Sequence, residues 1–306
     1  MIRNFLFHRV NTKRDPLWDP MDIALFDKCI KYITENYKIA LIEDLAFSPE
    51  LHSKHEYATI MFDDGYKDNI LYAAPILDKY KCKASFYVVT DCIDRNIPVW
   101  TLMLEHAFQY TNINELNLNF DFFPEDLKIK KLTNLKERIN YLNKLKPFLR
   151  KTSHEDRNAV IEAVISTYKD VEMPKLMMNW KDIKELMNAG HYIGSHTLSH
   201  SMLGTMSDEA DITNELLASA KSIEKNLGHF PVSIAYPVGS YNDVSKRISK
   251  ELGYKIGLAV NQNIFDPKKQ DFFEMSRIEL YNEPWWKTRL RITHSLEKIK
   301  SVIGYK

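Results

Sequence analysis

Short runs rich in β-branched and aromatic residues alternate with segments of helical period along most of this chain. That alternation limits the fold to parallel β/α architecture. The first run is "NFLFHRV" (4–10). In "DIALFDKCIKYITENY" (22–37), Ile23, Leu25, Phe26, Cys29, Ile30 and Ile33 recur close to helical spacing. "YATIMF" (57–62) follows, then a helical pattern at 69–80 and the run "ASFYVV" (84–89). Later come a helix at 181–190 stopped by Gly190, the run "HYIGSH", and an amphipathic helix at 208–227 before Gly228. "VSIAYP", a helix at 243–252 stopped by Gly253, "KIGLAV", "FFEMSRIEL" and a last helix near 284–300 complete the series. About seven strands, mostly separated by helices, predict a β/α barrel occupying 1–306 as one domain.

The stretch from about 94 to 179 breaks the rhythm. It is longer than the roughly 30 residues of one strand–helix–strand unit and carries no clear β pattern. It reads as helical and charged, with aromatic residues Trp100, Phe108, Tyr110, Phe120, Phe122 and Phe123. Two readings stand: a helical insertion over the barrel mouth, or an elaboration packed on the outside.

Polar residues collect at the ends of the strand patterns. His8 ends the first, Asp63 and Asp64 the second, His196 a later one and Tyr236 another, while Arg277 lies in the last. Strand C-termini converge on one face of a β/α barrel, where catalytic groups gather. Adjacent carboxylates such as Asp63 and Asp64 repel unless a cation neutralises them. His196 and His200 stand four apart, and one helical turn would put both imidazoles on one face. Two histidines and one carboxylate make a metal site with room for water, and Asp64 is the natural third ligand. Asp63 is then left as a potential general base.

Each signal alone has a plain explanation, a solvated turn for D-D-G and capping or core histidines for H-x-x-x-H. Their joint placement at strand ends is far more specific. Net charge is +1, so nothing global points to nucleic acid. The cysteines, Cys29, Cys82 and Cys92, are odd in number and form no C-x-x-C pair, which suits free thiols in a reducing compartment. The first residues hold only a short apolar run ended by charges, and no stretch approaches the ~20 apolar residues of a membrane span. A cytoplasmic protein is the expectation.

The motifs resemble those of the polysaccharide deacetylases, the NodB-homology group known as carbohydrate esterase family 4. "MFDDGYKD" is similar to the family's T-F-D-D-G, "SHTLSH" to its H-[ST]-x-x-H, and "IAYPVGSYN" to its R-x-P-Y-G, in the family's order. The resemblance implies an irregular (β/α)7 barrel, here with the helical insertion. It implies Asp63 as catalytic base and Asp64, His196 and His200 as ligands of a divalent metal, zinc first, with cobalt or nickel as alternatives. It also implies that Tyr236, Val238 and Gly239 line the substrate and oxyanion site, the Val238 N–H holding the oxyanion.

Departures from the family pattern are informative. Ala235 stands where the family has the arginine that orients the base, and Arg277 could supply a guanidinium from another strand, or serve only a structural salt bridge. Val238 stands where the family has tyrosine. The fourth motif has no match in "LAVNQNIFD". The fifth, a strand ending in histidine, resembles "FLFHRV" at the start of the chain. That implies a circularly permuted member with His8 as general acid.

The implied reaction is metal-assisted removal of an N-acetyl group from an amino sugar of a glycan or glycan precursor, releasing acetate. The absence of an export signal favours a lipid-linked or nucleotide-linked sugar. Two alternatives remain: a metal-dependent hydrolase of another amide or acyl ester, and a non-catalytic glycan-binding barrel. The terminal segment 283–306 holds Trp285, Trp286 and a basic run in which Glu297 is the acid after Lys287. Either its apolar residues pack on the barrel, or Trp285, Trp286 and the bases form one exposed patch for peripheral contact with the inner membrane face.

Overall fold

The computed structural model describes residues 1–48 and 56–296. Its strands are β1 (Ile2–Phe7), β2 (Lys38–Ile39), β3 (Tyr57–Phe62), β4 (Ser85–Val88), β5 (Glu115–Asn117), β6 (Ile129–Lys131), β7 (Tyr192–Ser195), β8 (Ser233–Ala235), β9 (Ile256–Leu258) and β10 (Ile278–Glu279). Eight of these form one sheet in the order β10-β1-β3-β4-β7-β8-β9, with β2 added beside β3. Every pairing within it is parallel. All residues of β1, β3 and β4 are buried, as expected of strands covered on both faces.

The sheet curls on itself. Met275, just before β10, pairs in parallel with Leu258 of β9, and the Ala259 N–H donates to the Met275 carbonyl at 2.9 Å. Three residues further on, Ile278 pairs with Phe5 of β1. One short segment thus joins the two edges of the curled sheet, in keeping with the β/α barrel predicted from the strand count and the irregular form implied by the resemblance. β1 comes first in the chain but lies between β10 and β3.

Helices cover the outside. The helix Ile23–Asn36 buries Phe26, Cys29, Ile30 and Ile33, and its first turn is capped by the Asp22 side chain, which accepts from the Ala24 and Leu25 N–H groups. The helix Glu209–Leu227 ends at Gly228, whose φ of 81° suits glycine. At the N-terminal ends of the strands, the short helix Ile42–Ala46 inserts the buried Glu43. Glu43 accepts from Ser85 Oγ, Tyr87 Oη and Ser233 Oγ at 2.7, 2.7 and 2.6 Å, so the barrel floor is tied together by a fully bonded carboxylate.

The stretch between β4 and β7 forms helices Trp100–Tyr110, Leu135–Leu149 and His154–Thr167 around a core of its own, including Phe108, Leu142, Leu145, Val160 and Tyr168. An all-helical reading of it is corrected by β5 and β6, which pair antiparallel. Each has three residues, with only the central one drawn inward, too little to leave a period in the sequence.

The described part of the C-terminal segment is the helix Trp285–Ile292. Trp285 packs edge-on against Tyr32 at 5.6 Å, whereas Trp286 is 64% exposed. Trp285 and Trp286 line one shallow groove together with the exposed Arg289, while Lys287 and Arg291 are held by Glu283; residues 297–306 lie outside the described residues. No helix among the described residues is long and apolar enough to cross a membrane. Cys29, Cys82 and Cys92 are free and buried.

Candidate active site

β3 runs between β1 and β4 and delivers Asp63 and Asp64 at its C-terminal end. Asp63 continues the ladder, its N–H donating to the Phe7 carbonyl at 3.1 Å. The chain then reverses through left-handed backbone at Asp64 (φ 75°) and Gly65 (φ 90°). A Cβ on Gly65 would lie 3.0 Å from Ile93 Cδ1 and 3.2 Å from Val88 Cγ1, so glycine is required there. The turn is clamped from 176–178: Lys67 N–H donates to the Leu176 carbonyl and Met178 N–H to the Gly65 carbonyl, at 2.7 and 3.0 Å. Both carboxylates are buried, at 2% exposure each.

His196 follows β7, and His200 reaches it without a helix. Thr197 (φ 66°) and His200 (φ 64°) are left-handed, and the loop is held by Ser201 N–H donating to Thr197 Oγ1 and by Ser199 donating to the Glu215 carboxylate. The expected helical turn is thus replaced by a strained loop, and its strain is offset by these side-chain bonds. The two imidazoles still converge. His196 Nε2 lies 3.4 Å and His200 Nε2 3.3 Å from Asp64 Oδ1.

This donor set fits a divalent cation. His196 Nδ1 donates to the Ala235 carbonyl at 2.7 Å, which leaves its Nε2 lone pair facing Asp64. Asp64 Oδ1 is buried and makes no hydrogen bond. Burial opposes charge on Asp64, but the two histidines outweigh it and hold the carboxyl far below the usual range. Burial also lowers His200, whereas on His196 Asp63 and Asp64 overcome burial and raise it. The centre therefore attracts positive charge, and one atom from each of Asp64, His196 and His200 lies within 4.8 Å of the others.

Arg277 is fully buried and donates from Nη1 to Asp63 Oδ1 at 2.7 Å and from Nε to the Ala259 carbonyl at 3.1 Å. Burial pushes Asp63 up, but Arg277 and His196 more than offset it, so the carboxyl stays ionised. Asp63 Oδ2 faces His196 Nε2 at 3.8 Å.

The third-motif residues divide. Val238 lines the pocket in a left-handed conformation (φ 57°), and its N–H has no acceptor among the described residues. Tyr236 does not reach the pocket. Its ring is fully buried, stacks on Tyr241 at 5.0 Å and lies over Gly257, where a Cβ would come within 2.3 Å of its hydroxyl. Gly239 (φ 71°) lies behind Val238 against Val260, so it shapes the turn and does not contact the cavity. The substrate-lining role expected of Tyr236 and Gly239 is corrected accordingly.

His8 lines the same pocket, because β1 pairs with β3 through Phe7 and Phe62. Its Nδ1 faces Glu279 Oε1 at 3.4 Å, and Glu279 Oε2 accepts from the Tyr281 hydroxyl at 2.6 Å. Trp18 packs edge-on against His8 at 5.3 Å. Asn69 donates to the His8 carbonyl at 2.7 Å, and Asp68 accepts from Arg9 at 2.9 Å. Sequence reasoning missed Glu279, Trp18, Asp68 and Asn69. Asp68 and Asn69 adjoin the D-D-G motif, and that proximity was the available signal.

Together these groups enclose a cavity of about 300 Å³. Thr101, Glu105, Lys146 and Arg150, all from the stretch between β4 and β7, complete its wall.

A polysaccharide deacetylase family profile matches residues 51–257. The chain is 29% identical over 105 residues to the poly-β-1,6-N-acetyl-D-glucosamine N-deacetylase of Staphylococcus aureus, covering 32% of this chain and 36% of that protein. It is 30% identical over 74 residues to the peptidoglycan-N-acetylglucosamine deacetylase PgdA of Listeria monocytogenes, covering 24% and 15%. The matched stretch thus spans about a third or less of these relatives' length. The Streptococcus pyogenes deacetylase PplD, solved in complex with acetate, shares the fold with a TM-score of 0.61 at 19% identity, over 95% of this chain and 97% of that one.

Proposed function

The chain belongs to the polysaccharide deacetylase family, and on that premise we propose that it is a metal-dependent hydrolase that removes an N-acetyl group from an amino sugar of a glycan or glycan precursor. The observation that carries this reading is the convergence of Asp64, His196 and His200 beside an Asp63 held by Arg277, all in one buried-walled pocket.

Asp64, His196 and His200 would hold a divalent ion, zinc first, with cobalt or nickel as alternatives. Such an ion supplies Lewis acidity toward the acetyl carbonyl and makes a water more acidic. Asp63 accepts the proton of the attacking water; Arg277 occupies its Oδ1 and leaves Oδ2 for that task. The Val238 N–H donates to the oxyanion as it forms, a role whose removal typically costs about 10²–10³ in rate. His8 delivers a proton to the leaving nitrogen, its Nδ1 side facing Glu279 and its other nitrogen available. The C–N bond breaks, and the products are acetate and a free amino sugar.

The position of β1 between β10 and β3 supports reading the chain as circularly permuted. A cytoplasmic setting, with a lipid-linked or nucleotide-linked sugar as substrate, belongs to the same proposal and is supported by the free, buried thiols.

Acetate release from N-acetylglucosamine oligosaccharides, measured with added Zn²⁺, Co²⁺ or Ni²⁺ and with chelator, tests the reading. Metal-dependent acetate with a matching gain of free amine is expected. Release only from acyl esters would move the chain to a different hydrolase reaction, and no release from any acylated substrate would leave a binding protein.

A further inference from the structure

We propose that the amino sugar processed here carries an anionic group and that Arg150 recognises it; the inference rests on the de-N-acetylase reading above. The other charges on the cavity wall face partners. Asp63 has Arg277, Glu105 has Lys146, and Glu279 faces His8. Asp64 faces the two imidazoles of the cation site.

Arg150 differs. It directly follows the helix Leu135–Leu149, its backbone anchored by its N–H donating to the Lys146 carbonyl at 3.0 Å. Its side chain is exposed, lines the same cavity as Asp63 and His200, and makes no hydrogen bond or ion pair among the described residues. Lys146, one turn earlier, is spent on the buried Glu105 and cannot neutralise a ligand without releasing it. Arg150 acts on Glu105 only through space, and Lys146 already bonds that carboxylate, so Arg150 is the cation of the cavity wall without a bonded partner among the described residues. A concave site with one unpaired positive charge concentrates anions. A planar guanidinium matches phosphate and carboxylate bidentately, which an ammonium does not. An uncharged N-acetylated homopolymer would give this group no partner. Two sources supply the anion: a phosphate ester on the amino sugar, or the carboxylate of an adjoining acidic sugar.

Calorimetric titration tests this on the full chain carrying Asp63→Asn, which slows turnover about 10²–10⁴-fold and so keeps the probes intact during the titration. The probes are N-acetylglucosamine 1-phosphate, a disaccharide of N-acetylglucosamine with glucuronic acid, and neutral N,N′-diacetylchitobiose. One anionic probe should bind about ten-fold or more tightly than the neutral one, and high salt should shrink the difference. Which probe gains identifies phosphate or carboxylate. Adding Arg150→Gln should bring the ratio of anionic to neutral affinity close to one, and Arg150→Lys should restore part of it. Equal affinity for all three probes, no binding of either anionic probe, or a preference that survives Arg150→Gln overturns the proposal. Acetate release by the wild-type chain is followed in parallel. Its absence on every probe counts against the deacetylase reading, while the affinity ratio still decides the role of Arg150.

Discussion

Arg277 Nη1 lies 2.7 Å from Asp63 Oδ1, although 214 positions separate the two residues in the chain. Both are buried, and Arg277 immediately precedes β10, which only β1 separates from β3. The guanidinium therefore reaches Asp63 from a strand two places away in the sheet.

Removing that guanidinium should be costly twice over. Arg277→Met leaves a buried carboxylate without its countercharge, worth about 3–5 kcal/mol of stability, read from urea unfolding. Arg277→Lys keeps the charge and should fold, but it cannot bond Asp63 and the Ala259 carbonyl in the same fork. A clear fall in kcat with little change in KM is expected for it. Wild-type kcat in Arg277→Lys would reduce the pair to a structural salt bridge.

The cation site predicts a stoichiometry. One divalent ion per chain should copurify or titrate in, and saturating metal should raise the melting temperature, since ligand at 100 times its Kd adds about 2.7 kcal/mol. His196→Ala and His200→Ala should each lose the ion by elemental analysis while keeping the far-UV spectrum. Full occupancy in both variants would rule out the assigned ligands.

Asp63→Asn separates binding from chemistry. The amide is nearly isosteric but cannot accept a proton from water. Retained metal with a fall of about 10²–10⁴ in kcat is expected. Near-normal turnover would mean that the base lies elsewhere.

His191 predicts an acid limb of stability away from the site. Its Nδ1 accepts from the Ala84 N–H at 3.1 Å in a buried setting, and burial, with Lys83 nearby, lowers it from 6.5 to about 4. The folded state prefers the neutral ring, so its contribution is present above about 6.5 and is lost as pH falls toward about 4. The denaturation midpoint of the wild type should drop more steeply across that window than that of His191→Gln, whose amide oxygen can accept the same N–H. Parallel curves for the two proteins would remove His191 from the acid response.

The sequence by itself determined the strands, the carboxylate pair and the two histidines. Burial on both faces writes largely apolar runs into β3 and into Phe5–Phe7 of β1, and that signal is local. The adjacency of Asp63 and Asp64 and the spacing of His196 and His200 are local too. The conformation between the histidines was not, because the left-handed residues Thr197 and His200 are held by contacts with Glu215 on a later helix. The pairing of Arg277 with Asp63, of Glu279 with His8, and the arrival of Arg150 at the cavity wall were decided by tertiary structure alone. Local periodicity reports which residues of an element are buried. It does not encode sheet order, and sheet order chooses which charges meet across the barrel. The same limit explains Tyr236: its place in a motif is legible, but packing over Gly257 turns its ring away from the cavity.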